Sequence, residues 1–192
     1  GYGSIRDSRA HISKQLHDDV IVSNEVIRLS ASTRIDLCGI GKGWLIDKLN
    51  KVLKEYAPAG YIINGGGDMY VSSPTPTTIA LEHPFDDTQH IGTTELRVGA
   101  LAVSSPHKRT WEHHGATKQH IIHPTNDTAH TKFVSAYVQA STALTADVMA
   151  TILLIADEHM RSRLCQTFAI EYLLIKQDLT YILTPHFQAY MH

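Results

Sequence analysis

The sequence predicts an α+β fold in which helices pack against a mainly antiparallel sheet. Apolar residues recur with helical spacing over 41–56 and 142–156. Short strand-like runs instead follow one another through 61–104, with no helical stretch between them. Since parallel strands need long crossover connections, this spacing favours antiparallel pairing. The length of 192 residues suits one domain, which we predict to cover residues 1–192.

The first elements are a helix, a hairpin and a second helix. We predict a short helix over 8–16, strands over 20–22 and 26–29, and a helix over 41–56 that ends before Pro58. The apolar face that we expect the helix over 41–56 to bury consists of Leu45, Leu49, Val52, Leu53 and Tyr56.

Strands dominate the rest of the chain. Those predicted after the second helix cover 61–64, 69–71, 78–81, 94–98 and 100–104. Residues 106–132 are polar and predict a loop except at 119–122, and 133–140 alternates as a half-buried strand. Helices over 142–156 and 158–168 then precede a hairpin formed by 170–176 and 179–183.

Composition argues against several functional classes. Seventeen Lys and Arg against nineteen Asp and Glu give a net charge of −2, which predicts no nucleic-acid partner. No apolar stretch reaches the roughly 18 residues of a membrane helix. Two cysteines cannot form a disulfide framework. The first residues show no signal peptide or lipid-anchor motif, so composition leaves the compartment unknown.

One carboxylate is a candidate metal ligand. Asp147 is the charged residue of the apolar helix over 142–156, and a buried carboxylate without a partner costs several kcal/mol. Thr151 follows four residues later, on the same helix face. Carboxylate and hydroxyl oxygens suit Mg²⁺ or Ca²⁺ rather than zinc. The pattern equally allows Asp147 to lie at the surface or to pair with an arginine.

Two further segments could bind a phosphate group or act on one. Residues 36–43 place three glycines and Lys42 at a strand-to-helix junction, which is typical of an anion site but also of a tight turn. Six of the thirteen histidines lie between 107 and 130, where a histidine-rich loop is the favoured interpretation. His120 differs because it precedes the apolar pair Ile121–Ile122.

These segments occur in an order that resembles the ApbE family, the FAD:protein FMN transferases. DLCGIGKGWLID at 36–47 resembles the family signature D-L-G-G-I-A-K-G-Y-A-V-D. The other similar segments are NGGGD at 64–68, AVSS at 102–105, QHIIHP at 119–124, TALTADVMAT at 142–151 and TPHF at 184–187. Several ordered motifs are more specific than any one of them.

The resemblance implies a T-fold-related architecture and a Mg²⁺-dependent transferase. Such enzymes cleave FAD, attach FMN through a phosphoester to a Thr or Ser of an acceptor flavoprotein, and release AMP. Alternatives are an FAD pyrophosphatase and a catalytically silent flavin- or metal-binding module. Family members are often exported to the cell envelope, whereas others are cytoplasmic.

The resemblance also assigns residues to roles. It implies metal binding by Gly39, Asp147 and Thr151, FAD contacts by Asp36, Lys42 and Ile122, and catalysis by His120 beside the reacting phosphate together with Asp147. Val103 and the residues 123–126 depart from the family motifs. Family members carry a longer segment before the first motif, so we expect an incomplete FAD site in residues 1–192.

Overall fold

The computed structural model describes residues 20–31, 33–57, 59–106, 110–113, 116–119, 121 and 132–191. The chain divides into two compact units, Gly1–Asp36 and Leu37–His192. The helix predicted over 8–16 lies outside the described residues, and the single domain over 1–192 stays a prediction. In the N-terminal unit, β1 (Val20–Ser23) and β2 (Val26–Leu29) form an antiparallel hairpin, as predicted.

The C-terminal unit is a sheet with helices packed against it, so the predicted fold class is confirmed. Its helices are α1 (Gly41–Tyr56), α2 (Ala143–Ile155) and α3 (Glu158–Phe168). Its strands are β3 (Tyr61–Asn64), β4 (Met69–Glu82), β5 (His90–Ser104), β6 (Thr110–His113), β7 (Ala116–Gln119), β8 (Phe133–Ala140), β9 (Glu171–Lys176), β10 (Tyr181–Leu183) and β11 (Ala189–Met191).

The main sheet has seven strands in the order β10-β9-β8-β5-β4-β3, and β11 pairs with β5. Its described pairings are all antiparallel. A separate two-stranded sheet joins β6 to β7. No helix in the described part of the chain has the length and apolar character needed to cross a membrane.

Two strands are longer than predicted. The segments predicted over 69–71 and 78–81 belong to one strand, β4, whose pairing with β5 shifts between Ser72 and Thr77. Pro74 and Pro76 lie in that interval and have no amide hydrogen to donate. The segments predicted over 94–98 and 100–104 likewise form one strand, β5, which continues through Gly99 at a φ of 139°.

Two other predictions, one of a loop and one of how deeply a strand is buried, are wrong. The polar loop predicted over 106–132 contains β6 and β7, whose polar residues gave no apolar alternation. The strand at 133–140 is buried on both faces rather than half-buried, because its residues contribute to two separate apolar cores. Of these two clusters of buried apolar residues, one contains Ala136 and Val138, and the other contains Val134 and Tyr137.

The core between α2 and the sheet is built from small side chains. Ala146 and Ala150 of α2 join Ala100 and Ala102 of β5 in the same buried cluster. Alanines on both surfaces let a helix approach a sheet closely, while larger residues such as Leu153 fill the spaces beside them. The position of α2 over β5 is therefore tightly defined.

The apolar face predicted for α1 is wrong. Leu45, Leu49, Val52 and Tyr56 are 53%, 43%, 54% and 77% exposed, whereas Ile46 is buried at 3% and Leu53 is partly buried. The helix packs instead through the side that carries Gly43 and Ile46. Its residues nearest α2 include a glycine and an aspartate, which the periodicity of apolar residues cannot reveal.

Candidate functional site

The starts of α1 and α2 bind each other. The backbone N–H of Gly43 in α1 donates to Asp147 Oδ2 in α2 at 2.9 Å. The N–H groups of Ala143 and Leu144 in α2 donate to Asp47 Oδ1 and Oδ2 of α1 at 2.8 and 3.0 Å. Each carboxylate lies four residues after an amide that its own helix donates to the partner helix.

Gly43 allows this close crossing. A Cβ atom at this position would lie 2.5 Å from the carbonyl oxygen of Ala143 and 2.7 Å from the Cα of Leu144. The N-cap residue of α1, Ile40, makes no capping bond with its side chain. Since the first amides of a helix lack partners within the helix, the Asp147 carboxylate takes over part of this role from a distant element.

Asp147 is buried, with 5% of its surface exposed, so the alternative of a surface carboxylate is wrong. Burial raises the pKa of Asp147 above its ordinary value, because a charged carboxylate is poorly solvated there. The Gly43 amide lowers that pKa, the nearby Asp68 carboxylate raises it, and the Lys42 ammonium lowers it. A cation beside Asp147 would offset the cost of its charge.

The glycine-rich turn between β3 and β4 places Asp68 in the interior. Gly66 and Gly67 have φ values of 83° and 108°, a region that other residues adopt only at a cost. Asn64 Oδ1 accepts from the N–H groups of these two glycines at 2.9 and 3.2 Å. The turn closes with a bond from Gly65 N–H to the Asp68 carbonyl at 2.8 Å.

Asp68 connects the turn to α1 and to β5. Its side chain is 1% exposed, and its Oδ1 accepts from the N–H of Val103 at 3.2 Å. Its Oδ2 forms an ion pair with Lys42 Nζ, while the Lys42 side chain remains 43% exposed. The lysine therefore reaches from a buried carboxylate to the surface, where an anion could contact it.

Two hydroxyls lie beside these charges. Ser104 Oγ, at the end of β5, and Thr151 Oγ1, one turn after Asp147, are 3.0 Å apart. Ser105 instead donates to the carbonyl of Val134 at 2.8 Å and is buried. The contacts of Val103, Ser104 and Ser105 show how the end of β5 holds the glycine turn, α2 and β8 in place.

The structure brings together three of the residues that the resemblance assigned. Lys42 neighbours Gly43, the amide donor to Asp147, and Thr151 follows Asp147 on α2. Gly39 is exposed in the turn that leads into α1. Asp36 is an exposed residue of the N-terminal unit, so its FAD contact stays a prediction. His120 and Ile122 lie outside the described residues, and their roles also stay predictions.

Sequence reasoning assigned no role to Asp68, Ser104 or Asp47, although each lies in a quoted motif. An acidic residue that stands between a run of glycines and the apolar residues 69–71 was a usable signal for Asp68. No local pattern marked Ser104, because its partner Thr151 is distant in the sequence.

The donors present suit a hard cation next to a phosphate. Among the described residues, no three His, Cys, Asp or Glu side chains converge on one point, as most zinc sites require. Mg²⁺ commonly uses one or two carboxylates and completes its shell with water and substrate phosphate oxygens. Asp147 with the Thr151 and Ser104 hydroxyls fits that requirement, and Lys42 could contact the same phosphate.

Comparisons with known proteins agree with the motifs. A sequence profile of the ApbE family matches residues 4–174. An FAD:protein FMN transferase of Vibrio cholerae serotype O1 is 28% identical over 147 residues, which cover 73% of this chain and 44% of the relative. A protein of the same name from Klebsiella pneumoniae is 26% identical over 152 residues, or 77% of this chain and 48% of that one.

Solved structures share the fold. The ApbE protein of Thermotoga maritima superposes with a TM-score of 0.76 at 21% identity, covering 88% of this chain and 58% of its own. The apo flavinyl transferase ApbE of Pseudomonas stutzeri gives 0.65 at 16% identity, covering 88% and 54%. The chain spans about half the length of the curated relatives it matches. Because the family profile matches most of its length, the chain belongs to the ApbE family.

Proposed function

We propose that the chain acts as an FAD:protein FMN transferase that attaches FMN to a Thr or Ser of an acceptor flavoprotein. The observation that carries this proposal is the buried Asp147, bound by the Gly43 amide and followed by Thr151 beside Ser104. Relatives that bear this name support the reaction class. The Mg²⁺ requirement and the hydroxyl acceptor are part of the proposal.

Some of the residues at the site would bind the cation, and others would bind the phosphate. Asp147 and Thr151, with the backbone carbonyl of Gly39, would hold Mg²⁺, which neutralises charge on the pyrophosphate oxygens when bound. Lys42, steadied by Asp68, would bind the phosphate as a point charge.

The transfer itself exchanges the phosphoanhydride bond of FAD for a phosphoester. The acceptor hydroxyl oxygen bonds to the phosphorus on the FMN side, and the bond from that phosphorus to the AMP oxygen breaks. We assign His120 as the group that accepts the proton of the hydroxyl, because a neutral imidazole can act as a base. AMP leaves with the electron pair of the broken bond, so the products are FMN-protein and AMP.

Incubation of the full chain with FAD, Mg²⁺ and a candidate acceptor flavoprotein tests this function. The proposal expects a fluorescent FMN-protein band and release of AMP. Free FMN with AMP would show an FAD pyrophosphatase instead. FAD left intact in the presence of an acceptor that another family member modifies would overturn the proposal and favour a silent binding module.

His120→Asn tests the assigned proton acceptor. Turnover should fall by about 10²–10⁴-fold, the usual contribution of a general base. FAD affinity and Tm should stay nearly constant, because the change removes a proton acceptor and little volume. His113→Asn and His114→Asn are the matched controls and should turn over normally. A normal rate for His120→Asn would remove this residue from the reaction.

A further inference from the structure

The first turn of α2 has two sets of caps. Locally, Thr142 Oγ1 accepts from the N–H of Thr145 at 3.2 Å. At long range, both carboxylate oxygens of Asp47 accept from the next amides, Ala143 N–H and Leu144 N–H. Thr142 satisfies one amide of this turn and Asp47 two more, and the Asp47 bonds have a further consequence. They fasten α2 to a residue that lies 96 positions earlier in the chain.

Asp147 lies one helical turn after Ala143, the first residue of α2 that Asp47 binds. Ala143 and Asp147 are four residues apart and therefore lie on one side of α2. A small rotation or slide of α2 against α1 would move the Asp147 carboxylate away from the Gly43 amide, to which it is bound at 2.9 Å. The Gly43–Asp147 bond and the two bonds to Asp47 all join α1 to α2 at the close backbone contact made by Gly43.

Asp47 and Asp147 differ in what their oxygens do. Helix amides engage both Asp47 oxygens, at 2.8 and 3.0 Å, so this carboxylate is used as a structural acceptor. The Gly43 amide engages only Oδ2 of Asp147. The first carboxylate can therefore orient the second without sharing a ligand with it.

We propose that Asp47 is a positioning residue for Asp147: by clamping the first turn of α2 to α1, it fixes the carboxylate that binds the divalent cation. This inference rests on the proposed function, because it assumes that Asp147 holds a cation. Asp47 does not itself touch the cation or the phosphate. Loss of a group that orients a metal ligand typically weakens metal binding by about 10–100-fold.

Mn²⁺ titration of the full chain, with free Mn²⁺ measured by electron paramagnetic resonance, tests the role without any turnover. Asp47→Ala should raise the Kd for Mn²⁺ by about 10-fold or more, at a temperature where circular dichroism shows a folded protein. Asp157→Ala is the matched control. Asp157 also caps a helix, accepting from Met160 N–H at 2.7 Å, but it caps α3. This control should lower Tm and leave the Kd unchanged.

Two results would overturn the inference, and they are distinguishable. Wild-type Mn²⁺ affinity in Asp47→Ala, with binding lost in Asp147→Ala, would leave the proposed cation site and remove the positioning role. A wild-type chain that binds no Mn²⁺ would remove the site and the role together. If Asp47→Ala does not fold, Asp47→Asn keeps one oxygen acceptor, and the same comparison with Asp157→Asn applies.

Discussion

The two helices that meet at the candidate site, α1 and α2, bury very different surfaces. Most of α2 is buried, and its residues Met149 and Leu153 lie in the core between the helix and the sheet. In α1 the apolar stripe faces outward, and the helix meets α2 through Gly43 and Asp47. Apolar periodicity thus identified both helices, but the face that it predicted α1 to bury is largely exposed.

The difference has a physical cause. Helices that cross at a glycine bring their backbones together, so the amides at both starts need acceptors inside the contact. Carboxylates from the opposite helix supply them here. Because such a contact is small and polar, a prediction from the hydrophobic pattern places its residues on the solvent-exposed side of the helix. At the start of α1 and α2, charge and backbone geometry outweigh apolar area in deciding which faces meet.

The largest difference between the two helix surfaces should appear in the free energy of unfolding when one leucine on each helix is replaced by alanine. Leu153 is fully buried, so Leu153→Ala should lower the free energy of unfolding by about 2–5 kcal/mol through lost burial and a cavity. Leu49 is 43% exposed and is the matched control. Leu49→Ala should cost less than about 1 kcal/mol. Urea unfolding measures both, and equal losses would mean that the α1 stripe is packed in solution.

A methyl group at the helix crossing should have the next largest effect. Gly43→Ala would place a Cβ 2.5 Å from the Ala143 carbonyl oxygen and must push the helices apart. We expect a loss of about 1–3 kcal/mol in unfolding free energy. Gly41→Ala adds the same methyl where no atom lies within 4 Å, two residues away in the same helix. It should leave the protein equally stable or stabilise it by up to about 1 kcal/mol.

Replacing each of the two carboxylates by an amide should change the stability in opposite directions. In metal-free protein at neutral pH, Asp147→Asn should raise Tm. The reason is that burial raises the pKa of Asp147, so its ionised form weakens the fold. Asp47→Asn should lower Tm slightly, because helix amides engage both Asp47 oxygens.

The direction with pH follows from the raised pKa of Asp147. A carboxylate of this kind contributes stability that is complete below its ordinary pKa and is lost as pH rises through the raised value. The gain from Asp147→Asn should therefore shrink on acidification. Scanning calorimetry with a chelator checks this. A gain that grows as pH falls would contradict the assigned direction.

Local sequence predicted the helices well because their signals are local. The bounds predicted for α1 and α3 match the structure, and α2 differs by one residue at each end. Long-range facts were not predictable in this way. The ion pair of Asp68 with Lys42 depends on the turn after β3, and its bond to Val103 depends on how β4 pairs with β5. The exposed face of α1 depends on Gly43, whose small size matters only once α2 is in place.

The site itself was predictable in part. Asp147 and Thr151 follow from a lone carboxylate with a hydroxyl one turn later, and the structure buries the first and sets the second beside Ser104. The glycine-rich segment at 36–43 gave Lys42 as a candidate for binding a phosphate. Nothing in the sequence pattern indicated that Asp68 would pair with this lysine.

The most direct test of the cation site is an anomalous difference map from crystals of the chain soaked with Mn²⁺ and FAD. Asp147 is buried and Thr151 follows it by one turn, so the ion should lie at one carboxylate oxygen of Asp147 and contact the Thr151 hydroxyl oxygen. The expected result is a peak at about 2.0–2.3 Å from both oxygens. Bound FAD with Mn²⁺ held elsewhere, away from Asp147, would contradict the site.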